Sequence, residues 1–222
     1  MSEHELTIPA EGVELAGCLT LPGTAKGLVL FAHGSGSSRF SRRNRFVARV
    51  LAEAGLATLL FDLLTSAEER VDQIDRSLRF NSPLLSERLI GAVDWACRIE
   101  DLGEPQIGLF GASTGAAAAI DAAAARPETV GAVVSRGGRP DLASASLPLV
   151  ACPTLFIVGA KDKEVLRLNQ EAARRLRADH TLTIVPGATH LFEEPGTLAK
   201  VADLARDWFL RHLSSGQTRP HG

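Results

Sequence analysis

The sequence has little of what marks a disulfide-bonded, metal-binding or membrane-spanning protein. Its 222 residues include only three cysteines, Cys18, Cys97 and Cys152, which are scattered and form no CxxC pair. Such usage is typical of reduced thiols in a cytosolic chain and disfavours zinc or redox chemistry. No apolar run approaches the roughly 20 residues of a membrane span. These absences predict an ordinary globular protein.

The sequence also lacks a strong net charge and the common motifs for binding nucleotides or metals. The net charge is -2, which argues against nucleic acid as the main partner. The acidic, polar N-terminus is unlike a signal peptide. No GxGxxG, GKS/GKT or His-x-x-x-His pattern occurs, so we expect neither a cofactor nor a metal. We therefore expect cytoplasmic localisation and no membrane partner, while the oligomeric state is left open, a homodimer included.

What the sequence does have is a regular series of apolar runs. Residues 13–21 alternate with a period of about two and stop at Pro22-Gly23, which predicts a half-exposed strand paired with residues 5–8. Continuous apolar runs are typical of parallel strands covered on both faces by helices. They occur at residues 28–32, 56–61, 107–110, 130–134 and 154–158.

Helical patterns lie between these runs. They cover residues 41–54, a stretch after Pro83, a stretch from Thr114, residues 165–176 and residues 198–209. Antiparallel strands followed by β–α alternation predict one α/β domain over residues 1–213, with a mostly parallel, doubly wound sheet and helices on both faces. A flexible tail is expected at 214–222. The charged segment 63–82 is expected to be irregular, and it is the place where a short lid could form.

The segment GASTG, residues 111–115, joins a predicted strand to a predicted helix. It fits G-x-S-x-G, in which a strained turn lifts the serine Oγ clear of the sheet and glycines avoid the neighbouring strand and helix. The positive end of the helix would also stabilise the negative charge that develops during acyl transfer. Ser113 is therefore a candidate nucleophile. The alternative is a glycine-rich turn with an incidental serine.

A nucleophilic serine needs a base and an orienting carboxylate, which here should follow in the order Ser, Asp or Glu, His. Asp162 follows the predicted strand at 154–158, and His190 follows a predicted strand at 182–185. Both lie at carboxyl ends of strands, where open α/β sheets bind ligands. Ser113, Asp162 and His190 are therefore the predicted triad. A solvated Asp162 and a His190 that only caps the last helix are the alternatives.

The glycine-rich loop HGSGSS, residues 33–38, offers candidates for an oxyanion hole. The first donor is expected to be the N–H of Thr114, the residue after the nucleophile. We choose the Ser35 N–H as the second donor, with Gly36 in reserve. Gly36 and His33 are also candidate substrate-binding residues, although His33 is expected mainly to brace the loop through hydrogen bonds.

Four motifs in order, HGSGSS, GASTG, VGAKD and PGATHLFEEPG, resemble the α/β-hydrolase superfamily and, within it, the compact dienelactone hydrolase-like branch. The resemblance extends from about residue 5 to residue 213. It implies an α/β-hydrolase fold, a Ser113–Asp162–His190 triad, and hydrolysis of an ester or related acyl bond in a small-molecule substrate. Dienelactone hydrolases proper use a cysteine nucleophile, so the serine argues against dienelactone itself as the substrate.

Arginines at two places are candidates for substrate recognition. Arg136 ends the strand predicted beside the nucleophile strand, where a guanidinium group could bind a carboxylate or phosphate in a forked geometry. Four arginines between residues 39 and 45 lie around a helix start, where they oppose the helix dipole. The alternative for both Arg136 and this cluster is exposure to solvent or pairing with the acidic residues Glu68, Glu69, Asp72 and Asp75. The acidic stretch itself is expected to be a solvated helix face.

The motifs favour one class of function and leave others open. The preferred function is serine hydrolysis of a small carboxylic ester, with an anionic substrate if Arg136 contacts it. Amide or peptide cleavage would use the same site. A non-catalytic ligand-binding protein of this fold and an interaction scaffold that uses the arginine cluster are the remaining alternatives.

Overall fold

The computed structural model describes residues 1–99, 102–103 and 105–213. Its strands are β1 (Ser2–Ala10), β2 (Val13–Leu21), β3 (Leu28–Ala32), β4 (Ala57–Phe61), β5 (Ile107–Ala112), β6 (Val130–Arg136), β7 (Thr154–Gly159) and β8 (His180–Val185). Its α-helices are α1 (Arg42–Glu53), α2 (Ser66–Asp75), α3 (Ser82–Ala96), α4 (Gly115–Ala125), α5 (Lys163–Arg175) and α6 (Thr197–His212). Within the described ranges, no helix is both long and apolar enough to cross a bilayer.

These strands form a single 8-stranded sheet in the order β1-β2-β4-β3-β5-β6-β7-β8. The pairs β1–β2 and β2–β4 are antiparallel. The other neighbouring pairs are parallel. The prediction of a mostly parallel, doubly wound sheet in a single α/β domain is therefore confirmed. The tail predicted at 214–222 lies outside the described residues.

Helices cover both faces of the sheet and bury its central strands. β3 and β4 are buried along their whole length, as their unbroken apolar sequences predicted. On one face, α1 and α6 contribute Leu51 and Phe209 to a hydrophobic cluster. On the other face, α3 and α4 contribute Leu89 and Ile120 to a second cluster. The two predicted helix layers are both present.

The expectation of an irregular segment at 63–82 is wrong, because α2 forms in its middle. A capping box starts this helix: Thr65 Oγ1 accepts from the Glu68 N–H, and the Glu68 carboxylate accepts from the Thr65 N–H. The segment packs against the loop at 33–38, where Ser35 Oγ donates to the backbone oxygen of Arg79 at 3.1 Å. A role for this segment as a lid stays a prediction.

The topology brings the predicted site residues to one edge of the sheet. β3, β5, β6, β7 and β8 run parallel, so the loops that follow them emerge on the same side. These loops carry the glycine-rich segment 33–38, Ser113, Gly137, Asp162 and His190.

Candidate active site

Ser113 lies in a strained turn between β5 and α4. Its φ of 53° is in the left-handed region, which residues other than glycine rarely adopt. The Ser113 N–H donates to the carbonyl of Arg136 at 3.1 Å, and the Ser113 carbonyl accepts from the Arg139 N–H at 3.0 Å. These bonds to the end of β6 and the loop after it hold the strained backbone in place. Strain maintained in this way is typical of functional sites.

Two glycines flank Ser113 because the backbone is packed too closely there for a side chain. A Cβ at Gly111 would overlap the Cα of Ala116, and a Cβ at Gly115 would overlap the carbonyl oxygen of Ala32. Glycine therefore lets β5, α4 and the end of β3 meet directly beneath the serine.

Asp162 and His190 are hydrogen-bonded to each other. Oδ2 of Asp162 lies 2.6 Å from Nδ1 of His190. Asp162 is the N-cap residue of α5, but its side chain makes no capping bond to that helix. An ionised carboxylate can only accept a hydrogen bond, so we assign the His190 proton to Nδ1. This assignment leaves Nε2 of His190 with a free lone pair.

The histidine loop lies beside the end of β6, next to the serine turn. A Cβ at Gly137 would lie 3.5 Å from both Nδ1 and Cε1 of His190. Gly137 follows Arg136, whose carbonyl binds the Ser113 N–H. The glycine-rich loop is also adjacent to the serine, since a Cβ at Gly34 would lie 3.1 Å from the Cβ of Ser113. The structure thus brings the three predicted triad residues to one place.

The predicted oxyanion donors are close together, but one of them is occupied. The Ser35 N–H donates to Oγ1 of Thr114 at 2.9 Å. The Ser35 and Thr114 hydroxyl oxygens are also 2.9 Å apart. Because Ser35 Oγ donates to Arg79, the Thr114 hydroxyl donates to Ser35. The Ser35 N–H must leave Thr114 before it can bind a substrate oxygen, so its role stays a prediction.

The Thr114 N–H is better placed for an oxyanion than the reserve candidate Gly36. Thr114 is the N-cap residue of α4, where backbone donors have no acceptor within the helix. Gly36 instead is covered by a side chain: its φ is 66°, and a Cβ there would lie 2.9 Å from Nη1 of Arg79.

His33 braces the loop and has no ring nitrogen left for a substrate. Its Nδ1 donates to the carbonyl of Gly34 at 3.0 Å, and its Nε2 accepts from the Leu63 N–H at 3.1 Å. Burial lowers the pKa of His33 below its usual value, which favours the neutral ring that these bonds require. These contacts correct the expectation that His33 binds substrate and agree with its expected bracing role.

Arg136 is buried at the end of β6 and contacts no acidic side chain among the residues that the structure describes. Its exposed fraction is 6%, and its Nη2 donates to Oδ1 of Asn44 at 3.3 Å. Burial, and then the positive charge of Arg43, lower the pKa of Arg136 to about 10.

The pairing suggested between the 39–45 cluster and the acidic segment is wrong. Arg39 pairs with Asp62, and Nη1 of Arg43 donates to Glu193 at 3.2 Å. The acidic residues have partners near their own segment: Glu68 binds Arg88, and Asp72 binds Arg79. The solvated face expected for the acidic stretch is also corrected at Asp72, which is fully buried.

Comparison with known proteins shows the family to which this fold belongs. The family model described as the dienelactone hydrolase family matches residues 15–214. The chain belongs to the dienelactone hydrolase family. This family member is 55% identical to the dienelactone hydrolase of Anabaena variabilis, with a TM-score of 0.94 over 95% of this chain and 98% of that one. It shares the fold of Est1E from Butyrivibrio proteoclasticus at 16% identity and a TM-score of 0.79, over 94% and 98% of the two chains.

Curated relatives in two strains of Mycobacterium tuberculosis carry the provisional name phosphoribosyl transferase. They are 55% identical to this family member over 213 residues, which is 96% of this chain but 47% of theirs. The chain thus spans about half the length of these relatives. Family membership and the solved structure from Anabaena variabilis together show the family and the fold of this chain.

Asn44 contacts the site of this dienelactone hydrolase family member, although no motif pointed to it. It lies in the first turn of α1, is 2% exposed, and holds the Arg136 guanidinium. The helical spacing of the sequence could have predicted that Asn44 is buried. It shares one helix face with Val47, Ala48 and Leu51, all of which are buried. A polar residue on an apolar helix face indicates a buried polar contact.

Proposed function

We propose that this protein is a serine hydrolase that cleaves a small carboxylic ester through an acyl-enzyme intermediate. The observation that carries the proposal is the Asp162–His190 hydrogen bond of 2.6 Å beside the strained turn of Ser113. A nucleophile, a base and an orienting carboxylate, each after a strand that ends at the same edge of the sheet, are the parts that acyl transfer needs.

In the proposed mechanism, Oγ of Ser113 attacks the acyl carbon of the ester while Nε2 of His190 takes the hydroxyl proton. Asp162 keeps the imidazole in the required tautomer and stabilises the imidazolium that forms. The bond to the leaving oxygen then breaks, and His190 returns the proton to that oxygen, so an alcohol departs. Water attacks the acyl-serine, gives its proton to His190, and releases the acid and the free Ser113 hydroxyl.

The negative oxygen of each tetrahedral intermediate would be held by backbone donors. The Thr114 N–H at the start of α4 is one of them, and the positive end of that helix adds to its effect. The Ser35 N–H would be the second if the substrate oxygen replaces the Thr114 hydroxyl as its acceptor.

The experiment that tests the proposal is labelling with a fluorophosphonate probe, read as intact mass. We expect one adduct on the wild-type chain and on Ser82→Ala, a serine-to-alanine control at the start of α3, and no adduct on Ser113→Ala. Activated serines react with such probes because the base has already raised their nucleophilicity.

The absence of an adduct on folded wild-type protein would contradict the proposal and favour a ligand-binding role. Unlabelled wild-type protein would next be assayed on matched 4-nitrophenyl esters and 4-nitroanilides, which separate ester from amide cleavage. A phosphoribosyl transfer assay on the same protein tests whether the activity in the name of the curated relatives belongs to the half of their sequence that this chain matches.

A further inference from the structure

The Thr114 side chain does not cap the helix that it starts. A threonine at an N-cap position typically accepts a hydrogen bond from a backbone N–H of the first helical turn. Thr114 is the N-cap residue of α4, but its side chain makes no capping bond there. Its Oγ1 instead accepts from the Ser35 N–H at 2.9 Å. The hydroxyl group therefore serves a contact with the glycine-rich loop.

Hydrogen bonds on the Ser35 side fix the direction of the Thr114 hydroxyl. Ser35 Oγ donates to the carbonyl of Arg79 at 3.1 Å, so it accepts in its contact of 2.9 Å with Thr114 Oγ1. Arg79 is held in turn by Asp72, which accepts from the Arg79 N–H at 2.8 Å and from its Nε at 2.6 Å. The Thr114 proton is thus directed at Ser35 Oγ, and a lone pair of Oγ1 is left for the Ser35 N–H.

The Ser35 N–H therefore has an acceptor before any substrate binds. An acyl oxygen that takes the place of Thr114 Oγ1 must break the bond from the Ser35 N–H. Rotation of Thr114 about χ1, which makes room for that oxygen, also breaks its bond to Ser35 Oγ. A typical hydrogen bond changes an equilibrium constant by a factor of roughly 2 to 10. Displacement of the hydroxyl thus has a measurable cost.

We propose that the Thr114 hydroxyl is an internal competitor in the oxyanion hole, which every acyl oxygen must displace from the Ser35 N–H. The inference rests on the proposed hydrolase function and adds a positioning residue to its site. The ester carbonyl, the tetrahedral oxyanion and the carboxylate of the product acid all displace the same hydroxyl. The competitor therefore weakens the binding of all three, and its effect is on KM and on product binding more than on kcat.

Thr114→Val tests the inference, because it removes the hydroxyl and keeps the branched shape of the side chain. We expect KM for 4-nitrophenyl butyrate to fall about 3- to 10-fold, while kcat changes far less. Butyrate, the product acid, should inhibit this variant at a concentration lower by a similar factor. Thr114→Ala should change KM in the same direction, and it keeps the test decisive if Thr114→Val does not fold.

Two control variants separate the hydroxyl group from the rest of the side chain and from the replacement itself. Thr114→Ser keeps a hydroxyl, so its KM should lie nearer to that of wild type than to that of Thr114→Val. Thr181→Val makes the same replacement at an exposed residue of β8 and should change KM less than about twofold. A purely structural role of Thr114 would change heat stability without this pattern in KM.

Amide hydrogen exchange of Ser35, followed by nuclear magnetic resonance, examines the occupied donor without catalysis. We expect exchange at this amide to be at least about 3-fold faster in Thr114→Val, because the N–H loses its acceptor within the protein. Butyrate binding is measured by calorimetry in the Ser113→Ala background. Addition of Thr114→Val should make this binding about 3- to 10-fold tighter.

The outcomes distinguish this inference from the hydrolase proposal. Ester hydrolysis with an unchanged KM in Thr114→Val overturns the inference alone. A fall in kcat at constant KM also overturns it, because the hydroxyl would then act as a donor to the transition state. Faster exchange at Ser35 and tighter butyrate binding, without hydrolysis of the ester by the wild type, support the internal competitor and overturn the hydrolase proposal.

Discussion

Asp162 shows how a single side chain fixes the chemistry of its neighbour. Its carboxylate accepts from Nδ1 of His190 at 2.6 Å, which leaves Nε2 free for the role of base that we propose. In Asp162→Asn, the amide can donate to Nδ1 and so stabilise the tautomer whose Nε2 is already protonated. We therefore expect kcat on a 4-nitrophenyl ester to fall by a factor on the order of 10⁴, with little change in thermal stability.

The control for this variant is Glu164→Gln, which removes a nearby carboxylate that is exposed and paired with Arg167. Its kcat should stay within about twofold of wild type, since exposed ion pairs contribute little. A loss smaller than about tenfold in Asp162→Asn would show that this carboxylate does not orient the base.

Residue positions in the site were predictable to different degrees. Asp162 and His190 could be placed because each follows a strand whose carboxyl end must lie at the ligand-binding edge. The Asn44–Arg136 contact could not be placed, because it depends on how α1 crosses the end of β6. The bond between the Ser35 N–H and Thr114 also depends on packing between loops distant in sequence.

At the scale of elements, Asp72 ties the end of α2 to the segment that covers the glycine-rich loop. It accepts from the N–H groups of Leu78 and Arg79 at 2.9 and 2.8 Å, and from Nε of Arg79 at 2.6 Å. Burial by itself raises the pKa of Asp72, but these bonds outweigh it and hold the pKa below its usual value. The ionised form of Asp72 is therefore part of the folded structure.

This depressed pKa predicts a stability contribution that acid removes. The contribution is present above the unfolded pKa of about 3.9 and is lost as the pH falls through the lower folded value. We expect Asp72→Asn to lower the free energy of unfolding at pH 7 by roughly 1–3 kcal/mol. The difference from wild type should shrink as the pH falls from about 5 towards 2.

The measurement is urea unfolding of both proteins at a series of pH values. Glu69→Gln is the matched control, because it removes one negative charge from the same helix. A wild-type advantage over Asp72→Asn that stays constant down to the lowest pH would contradict the role given to the ionised carboxylate.

The strands with continuous apolar runs could be predicted from the sequence, whereas the helix α2, which has no apolar pattern, could not. The buried strands were evident from continuous apolar sequence, as in β3 and β4. α2 has only Asp72 buried, so no hydrophobic period marks it. The only sequence signal for its start was the capping pair Thr65 and Glu68. This short pattern predicts a helix start mainly when an apolar stretch follows it, and none follows here.

At the scale of the whole molecule, the two hydrophobic clusters share the same strands. Along β3, Leu28 and Leu30 belong to one cluster, whereas Val29 and Phe31 belong to the other. If one helix layer separated and the shared strands became disordered, the strand residues that pack against the opposite helix layer would also be exposed to water. This interleaving explains how a chain that spans about half of its curated relatives has a closed core of its own.

The interleaved core predicts that both faces unfold together, even though larger domains often populate intermediates. The chain has two tryptophans, and they report on opposite faces: Trp95 packs against the α3 and α4 side, and Trp208 against the α1 and α6 side. Trp95→Phe and Trp208→Phe each leave one reporter. In each variant, we expect the fluorescence midpoint in urea to match the far-UV circular dichroism midpoint within the roughly 10–15% uncertainty of such fits.

Comparing two probes within one variant cancels the stability change that the tryptophan replacement itself causes. If the Trp208 signal were lost at a lower urea concentration than the helical signal, the α1 and α6 layer would unfold before the rest. The Arg136 and Asn44 contact joins that layer to β6, so early loss there would also break this contact beside the serine turn before the sheet unfolds. Coincident midpoints instead mean that the Arg136–Asn44 contact, the serine turn and the histidine loop are maintained by one cooperative structure.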